Sequence, residues 1–334
     1  MFLLLLLLLL LLTSNNALNL PKTWQKVTMP FKSKARNWFI GRAEKLGIKW
    51  HELTDYYKNE KVQSDLLYNY MNINDKSIKY PNYYTKPFHG YDEGNLNWLA
   101  AHEGEAATIN IAAGYWPDVD PYVAQEWMRQ NTTQHINDYL YSYAVNKYDP
   151  SWYLGYHEPS NILDIGCSVG ISTEYIKKKY AKSKIFGLDL SPYFLSVAKY
   201  RSNKQNLNIT YIHANAEKTI FKDNLFSLVT CNYLFHEVPL KQTNIILHEI
   251  HRVLENNGVI AITDLEPEVL NMKENNFLSP FRRWMFEVTE PHIYSYYEND
   301  MRNLLKNAGF YNIVKCKNDP VNSVWLAQKK DLFI

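Results

Sequence analysis

The residues with the clearest chemical potential form the stretch N-I-L-D-I-G-C-S-V-G, residues 161–170. An apolar run enters Gly166, and a helical pattern begins just past Gly170. Glycines at such a bend let backbone approach a ligand closely, and the helix N-terminus adds positive potential. The spacing is G-x-x-x-G. Ser168 stands where the dinucleotide fingerprint G-x-G-x-x-G has its second glycine, the one that admits a pyrophosphate. A ligand without phosphates is therefore favoured. Asp189 follows Gly170 by 19 residues and closes the next apolar run. A carboxylate at that place accepts the hydroxyls of a ribose. The plain alternatives are a tight turn that holds nothing and an aspartate that caps a helix. For a helix beginning at Pro192, Ser191 is the better cap.

Positioning these groups requires strands that end at the two turns. From Pro159 onward such strands alternate with helices. Strands are expected at 162–165, 184–188, 209–212, 225–232 and 259–264, and helices at 172–180, 192–201 and 243–254. That alternation predicts a parallel sheet wrapped by helices. Near the C-terminus, a helix over 300–308 closes at Gly309. Strands at 311–315 and 324–328 then follow, linked too briefly for a parallel crossover. They predict an antiparallel hairpin at the sheet edge. Residues 37–158 read differently, as helices (38–46, 95–113, 121–147) and aromatic-rich loops. Y-P-N-Y-Y (80–84) and P-F-H-G-Y (87–91) lie in the loop between the first two helices.

From about Asn161 to the C-terminus the chain resembles the class I S-adenosylmethionine-dependent methyltransferases, in particular the UbiE-like or type 11 group. D-I-G-C-S-V-G resembles the first motif of that family and G-L-D-L-S the second. Residues 214–229 are similar to its region of strands three and four. H-R-V-L-E-N-N-G, residues 251–258, resembles the segment before strand five. The match covers about half of the chain. The aromatic stretch from Tyr80 to Asn95 also resembles the leader of a plant and algal group of plastid methyltransferases. The resemblance implies an α/β fold, a seven-stranded Rossmann-like methyltransferase sheet whose last strand is antiparallel, here with an N-terminal helical cap. It implies S-adenosylmethionine as cofactor. Asp164, Gly166, Cys167 and Gly170 would then surround its methionine and ribose, and Asp189 would bind the ribose. Asn215 and Ala216 would lie at the adenine, and Asn232 beside the cofactor. Three positions depart from the family pattern: Asn215 replaces an Asp, Ser227 an Asp, and Asn257 a glycine. An amide oxygen still accepts a hydrogen bond, and Asn tolerates a left-handed backbone. Cys167 reads as packing in the turn rather than as a nucleophile.

Methyl transfer is an in-line displacement, so positioning of the acceptor does most of the work. An oxygen or nitrogen acceptor also calls for a base. His236, in N-Y-L-F-H-E-V after the fourth strand, is the candidate, with Glu237 as its partner; capping or packing is the alternative for His236. Asp264 and Glu266 end strand five at the same edge. Trp284, Tyr294, Tyr296 and Tyr297 are candidates to roof the acceptor or to fill core. His248 and His251 do not form H-E-x-x-H, and no metal site is expected. The acceptor is expected to be a small molecule or lipid-like.

Composition limits the rivals. Lys plus Arg is 36 against 34 for Asp plus Glu, which excludes nucleic-acid binding driven by global charge. Hydrophobic residues make up 46%, enough to bury a core. Cys167, Cys231 and Cys316 are too few and too far apart for a disulfide framework. Two other functions remain open: a nicotinamide-dependent oxidoreductase on a related fold, and a catalytically silent cofactor-binding accessory protein. The organisation expected is a signal or anchor segment at 1–17, a basic leader at 18–36, the cap at 37–158 and the α/β domain at 159–334. Residues 2–12 are almost all Leu, too short a run to span a bilayer core. They suit a secretory signal cleaved near Ala17, with an uncleaved membrane tether as the alternative. The stretch 18–43 carries six Lys or Arg and no Asp or Glu, as transit segments do. Entry into the endomembrane system with onward passage to a plastid is the expected route.

Overall fold

A computed structural model of the chain describes residues 36–146, 158–266, 290 and 292–330. Its centre is a seven-stranded sheet in the order β3-β2-β1-β4-β5-β7-β6. The strands are β1 (Asn161–Ile165), β2 (Lys184–Asp189), β3 (Ile209–His213), β4 (Phe226–Asn232), β5 (Leu254–Leu265), β6 (Phe310–Lys317) and β7 (Asn322–Lys329). The first five pair in parallel, and β7 runs antiparallel to both β5 and β6. The expected hairpin forms, and β6 rather than β7 takes the edge. β5 begins five residues earlier than its apolar run, because Leu254 already pairs with Phe226 before a bulge resets the register to Leu228–Val259.

Alternation along the strands divides the core between the two faces of the sheet. Leu163, Ile165, Ile260 and Ile262 face one way, onto Leu247 and Ile250 of a helix at Leu240–Val253. Ile162, Val259 and Ala261 face the other way, with Ile176, Tyr180 and Leu195.

The cap precedes the sheet. It comprises α1 (36–45), α2 (Trp50–Tyr56), α3 (Glu60–Ile73), α4 (Trp98–Tyr115) and α5 (Pro121–Asn146). α2 and α3 lie where the sequence suggests only loop. α3 starts at Asn59, whose side chain accepts from the Lys61 N–H. The cap is fastened in two ways. Ile136 and Tyr139 of α5 join the second face of the core. Arg201, on the helix Pro192–Lys204 (α7), pairs with Glu105 of α4 and with buried Glu174, on the helix Ile171–Lys179 (α6). Charges so buried persist only when paired, and breaking one such pair is costly.

Candidate active site

The turn after β1 is built from left-handed residues: Gly166, Ser168 and Gly170 have φ of 70°, 50° and 81°. Gly170 is required on two counts. Its φ disfavours a side chain, and a Cβ there would lie 2.6 Å from the Tyr211 hydroxyl and 2.8 Å from Ala198 Cβ. Gly104 of α4 allows a second close approach, since a Cβ would meet Val169 at 3.0 Å. The cap helix therefore rests directly on the turn. The Gly166 and Cys167 N–H groups both donate to the Leu188 carbonyl, at 2.8 and 3.1 Å, which ties the turn to β2.

Two carboxylates flank this turn. Asp189 Oδ2 accepts from the Ser168 N–H and Oδ1 from the Ser191 N–H, both at 2.8 Å. Burial outweighs these bonds and pushes its carboxyl up to about 6. Ser191 caps α7, its hydroxyl accepting from the Phe194 N–H. Asp164 receives hydrogen bonds from Thr173 (2.6 Å), Thr230 (2.8 Å) and Asn232 Nδ2 (3.2 Å). Burial raises its pKa, and those three bonds oppose the rise. Asn215 Oδ1 accepts from the Glu217 N–H at 2.8 Å. Cys167 is buried, and burial lifts its thiol well above the ordinary range. Asn257, at the bulge inside β5, takes a left-handed backbone, with φ 64°.

A cavity of about 970 Å³ opens beside the turn. Asp164, Gly166, Cys167, Asp189, Asn215, Ala216 and Asn232 all line it. Gly170 is not among its lining residues; it packs against Tyr211 and Ala198. The glycine turn, the left-handed loop residues and two carboxylates fit a cationic nucleoside that carries a sugar diol and no phosphate.

The far side of the same cavity is assembled from distant segments. His236 and Glu237 both line it. They are not each other's partners. The His236 ring donates from Nδ1 to Asp264 Oδ1 at 2.6 Å, and the other oxygen of Asp264 accepts the Phe235 and His236 N–H groups at 2.9 and 3.3 Å. Burial disfavours charge on this ring, but the Asp264 carboxylate outweighs it and lifts His236 to about 9. Glu237 faces His89 of the cap instead. His89 Nε2 lies 3.4 Å from Glu237 Oε1 and 3.2 Å from Glu290 Oε1. Burial again lowers the ring's pKa, yet Glu290 and Glu237 together raise it to about 9. Burial pushes Glu237 up to about 7 while His89 and His236 pull it down.

Local chemistry explains how His89 reaches this place. Phe88 and Tyr91 exchange backbone bonds of 3.0 and 2.8 Å, and His89 and Gly90 between them have φ of 51° and 87°. Both central residues of the turn are left-handed, as tight two-residue hairpins demand. The Tyr91 hydroxyl anchors the hairpin to Glu103 of α4 at 2.6 Å. The H-G dipeptide between aromatics signals such a turn, though not what His89 meets. Of the aromatic candidates, Tyr297 lines the cavity, Tyr296 is buried and Tyr294 is exposed; Trp284 lies outside the described residues. Glu266 bonds Ser323 and Lys315 instead of facing an acceptor alone, although it borders the cavity. His251 packs edge-on against Phe310. Among the described residues, no cluster of His, Cys, Asp and Glu is suited to a metal ion.

Residues 163–262 match the family model described as a methyltransferase domain. An uncharacterized methyltransferase of Synechocystis sp. is 30% identical over 45% of this chain and 66% of its own length. A 2-phytyl-1,4-naphtoquinone methyltransferase of Nostoc sp. is 30% identical over 37% of this chain and 53% of its own length. A demethylmenaquinone methyltransferase of Oceanobacillus iheyensis is 29% identical over 34% of this chain and 48% of its own length. The chain thus spans between about half and just under two thirds of these relatives. A solved methyltransferase of Aquifex aeolicus overlays 56% of the chain and 97% of its own with a TM-score of 0.40 at 20% identity. These matches favour neither the oxidoreductase nor the silent accessory protein. Over residues 163–262 the chain thus carries the methyltransferase domain that this family model describes, set on the seven-stranded sheet.

Proposed function

We propose that the protein transfers a methyl group from S-adenosylmethionine to a small-molecule or lipid-like acceptor. The observation that carries this reading is the single cavity that joins the Gly166 turn and Asp189 to His89 and Glu237. When bound, S-adenosylmethionine supplies an electrophilic methyl group on a sulfonium. Asp189 accepts the ribose hydroxyls, and Asn215 and Ala216 lie against the adenine. Two names among the relatives, for demethylmenaquinone and 2-phytyl-1,4-naphtoquinone, support a lipid-like acceptor. So does the rim, where Trp38 and Ile111 line the cavity while each remains 42% exposed.

Glu237, rather than His236, is the base. The His236 ring is held in its charged form by Asp264 and has committed its Nδ1. A carboxyl at about 7 is divided between its two forms near neutrality, which suits proton transfer there. Glu237 takes the acceptor's O–H or N–H proton onto Oε, leaving the electron pair on the acceptor. The charged His89 beside it favours the ionised carboxylate that must do this.

Calorimetric titration with S-adenosylmethionine and with NAD, followed by methyl transfer to a panel of reduced quinones and polar lipids, tests the proposal. Binding of the first alone, with turnover, is expected. Tight NAD binding without S-adenosylmethionine binding would overturn it. Binding without turnover across the panel would favour the accessory reading. We further propose that the leader directs the chain into the endomembrane system and onward to a plastid, the acid-free basic stretch being the support. A fluorescent fusion of residues 1–43 tests that route, and retention at a membrane would favour the tether.

A further inference from the structure

Two triplets of the chain, Asn131-Thr132-Thr133 and Asn208-Ile209-Thr210, carry the N-x-T pattern that accepts N-linked sugar. So short a pattern also arises by chance, and the fold treats the two in opposite ways. Asn131 stands inside α5, partly buried, and its Nδ2 donates to the Asn318 carbonyl, in the link between β6 and β7, at 2.8 Å. Thr133 is 4% exposed, and its hydroxyl donates to the Arg129 and Gln130 carbonyls at 3.1 and 3.0 Å. Both polar groups of this triplet are therefore committed, and a sugar on Nδ2 would wedge α5 away from the β6–β7 link. The second triplet is open. The chain leaves α7 through a turn in which Asn206 is left-handed, φ 54°, and the Leu207 N–H returns to the Ser202 carbonyl at 2.9 Å. Asn208 follows, just ahead of β3, and Ile209 is buried as the first residue of that strand. Alternation along a strand places residues two apart on the same side. With Ile209 turned inward, Asn208 and Thr210 both face out, and both are exposed. β3 is also the outermost strand at its end of the sheet.

We propose that Asn208 is a site of N-linked glycosylation and that Asn131 is not. The proposal rests on the entry into the endomembrane system inferred above for the leader, where the sugar donor is an oligosaccharide carried on a polyisoprenyl pyrophosphate. Asn208 Nδ2 forms a bond to the anomeric carbon, the bond from that carbon to the pyrophosphate oxygen breaks, and Nδ2 gives up one proton; nothing is oxidised or reduced. The product is a bulky, hydrated group at the amino end of β3. Ala214, which lines the cavity, lies beyond the other end of this five-residue strand, about 16 Å away. The sugar thus projects from the edge of the sheet opposite the active site and leaves the cavity open.

Synthesis of the full chain in the presence of microsomes separates the site from the route. Resistance to added protease reports entry, and a mobility shift reversed by N-glycosidase reports the sugar. A single shift in the protected chain is expected. Asn208→Gln and Thr210→Ala should each abolish it, Thr210→Ser should keep it, and Thr133→Ala should leave it unchanged. A protected chain with no shift would overturn the site while the route stands. A shift that Thr133→Ala removes would overturn the exclusion of Asn131. A chain that stays open to protease and unshifted would defeat the route, and the site with it.

Discussion

The two ends of the cavity are built by different means. At the turn end, Asp164 and Asp189 lie 25 residues apart in sequence, and each of their oxygens already accepts a hydrogen bond from a turn, from β4 or from α6. At the cap end, His89 and Glu290 lie 201 residues apart, and Glu237 comes from a third segment. Charges there are sparsely bonded, and burial and mutual fields dominate them. The first end is a cradle set at the ends of neighbouring parallel strands. The second exists only when the cap is seated, which makes it the natural place for acceptor specificity and proton transfer. Variants at the two ends should therefore separate binding from chemistry.

The largest effect is expected at Glu237. Glu237→Gln should lower kcat about 10²- to 10⁴-fold, with the S-adenosylhomocysteine dissociation constant unchanged in calorimetry. In wild type, kcat should rise with pH through about 7 as Glu237 ionises and fall above about 9 as His89 and His236 lose their protons. The variant should lose the lower limb. His89→Asn, a change the left-handed backbone tolerates, should move that limb to higher pH, because the charge that favours the Glu237 carboxylate is gone. An unmoved limb would remove His89 from the proton chemistry.

Next comes the fastening of the cap. Arg201→Ala leaves Glu174 and Glu105 unpaired and should cost about 3–5 kcal/mol in denaturant unfolding. A change within error would mean that the ion pairs do not hold the cap. Asp189→Ala should weaken S-adenosylhomocysteine by about 1.5–3 kcal/mol while the pH profile of the remaining activity keeps its shape. A shifted profile would show that the two ends are coupled more tightly than their geometry suggests. The smallest effect is at the cap of α7: Ser191→Ala should cost about 1 kcal/mol of stability, read from the melting temperature.

The same contrast governs what was legible in the sequence. The turn at 161–170, the Asp189 carboxylate, the Ser191 cap and the left-handed Asn257 are local facts, written by residues within one or two turns of chain. The sheet and its antiparallel hairpin followed from strand–helix alternation and from one short link. Helix α3 was not legible because Leu67, Tyr68 and Met71 are 50, 66 and 71% exposed, so large apolar residues on the outer face blur its period. His236 was read as a base with Glu237 beside it, since neighbours in sequence suggest themselves as partners. Tertiary packing gave its ring to Asp264 and brought His89 and Glu290 to Glu237.

A crystal structure with S-adenosylhomocysteine bound puts the central claim at greatest risk. The account predicts the ribose hydroxyls on Asp189 and the adenine against Asn215 and Ala216, with the sulfur turned toward the His89–Glu237 end. A nucleoside lodged elsewhere, or a turn at 166–170 left empty at saturating ligand, would contradict it.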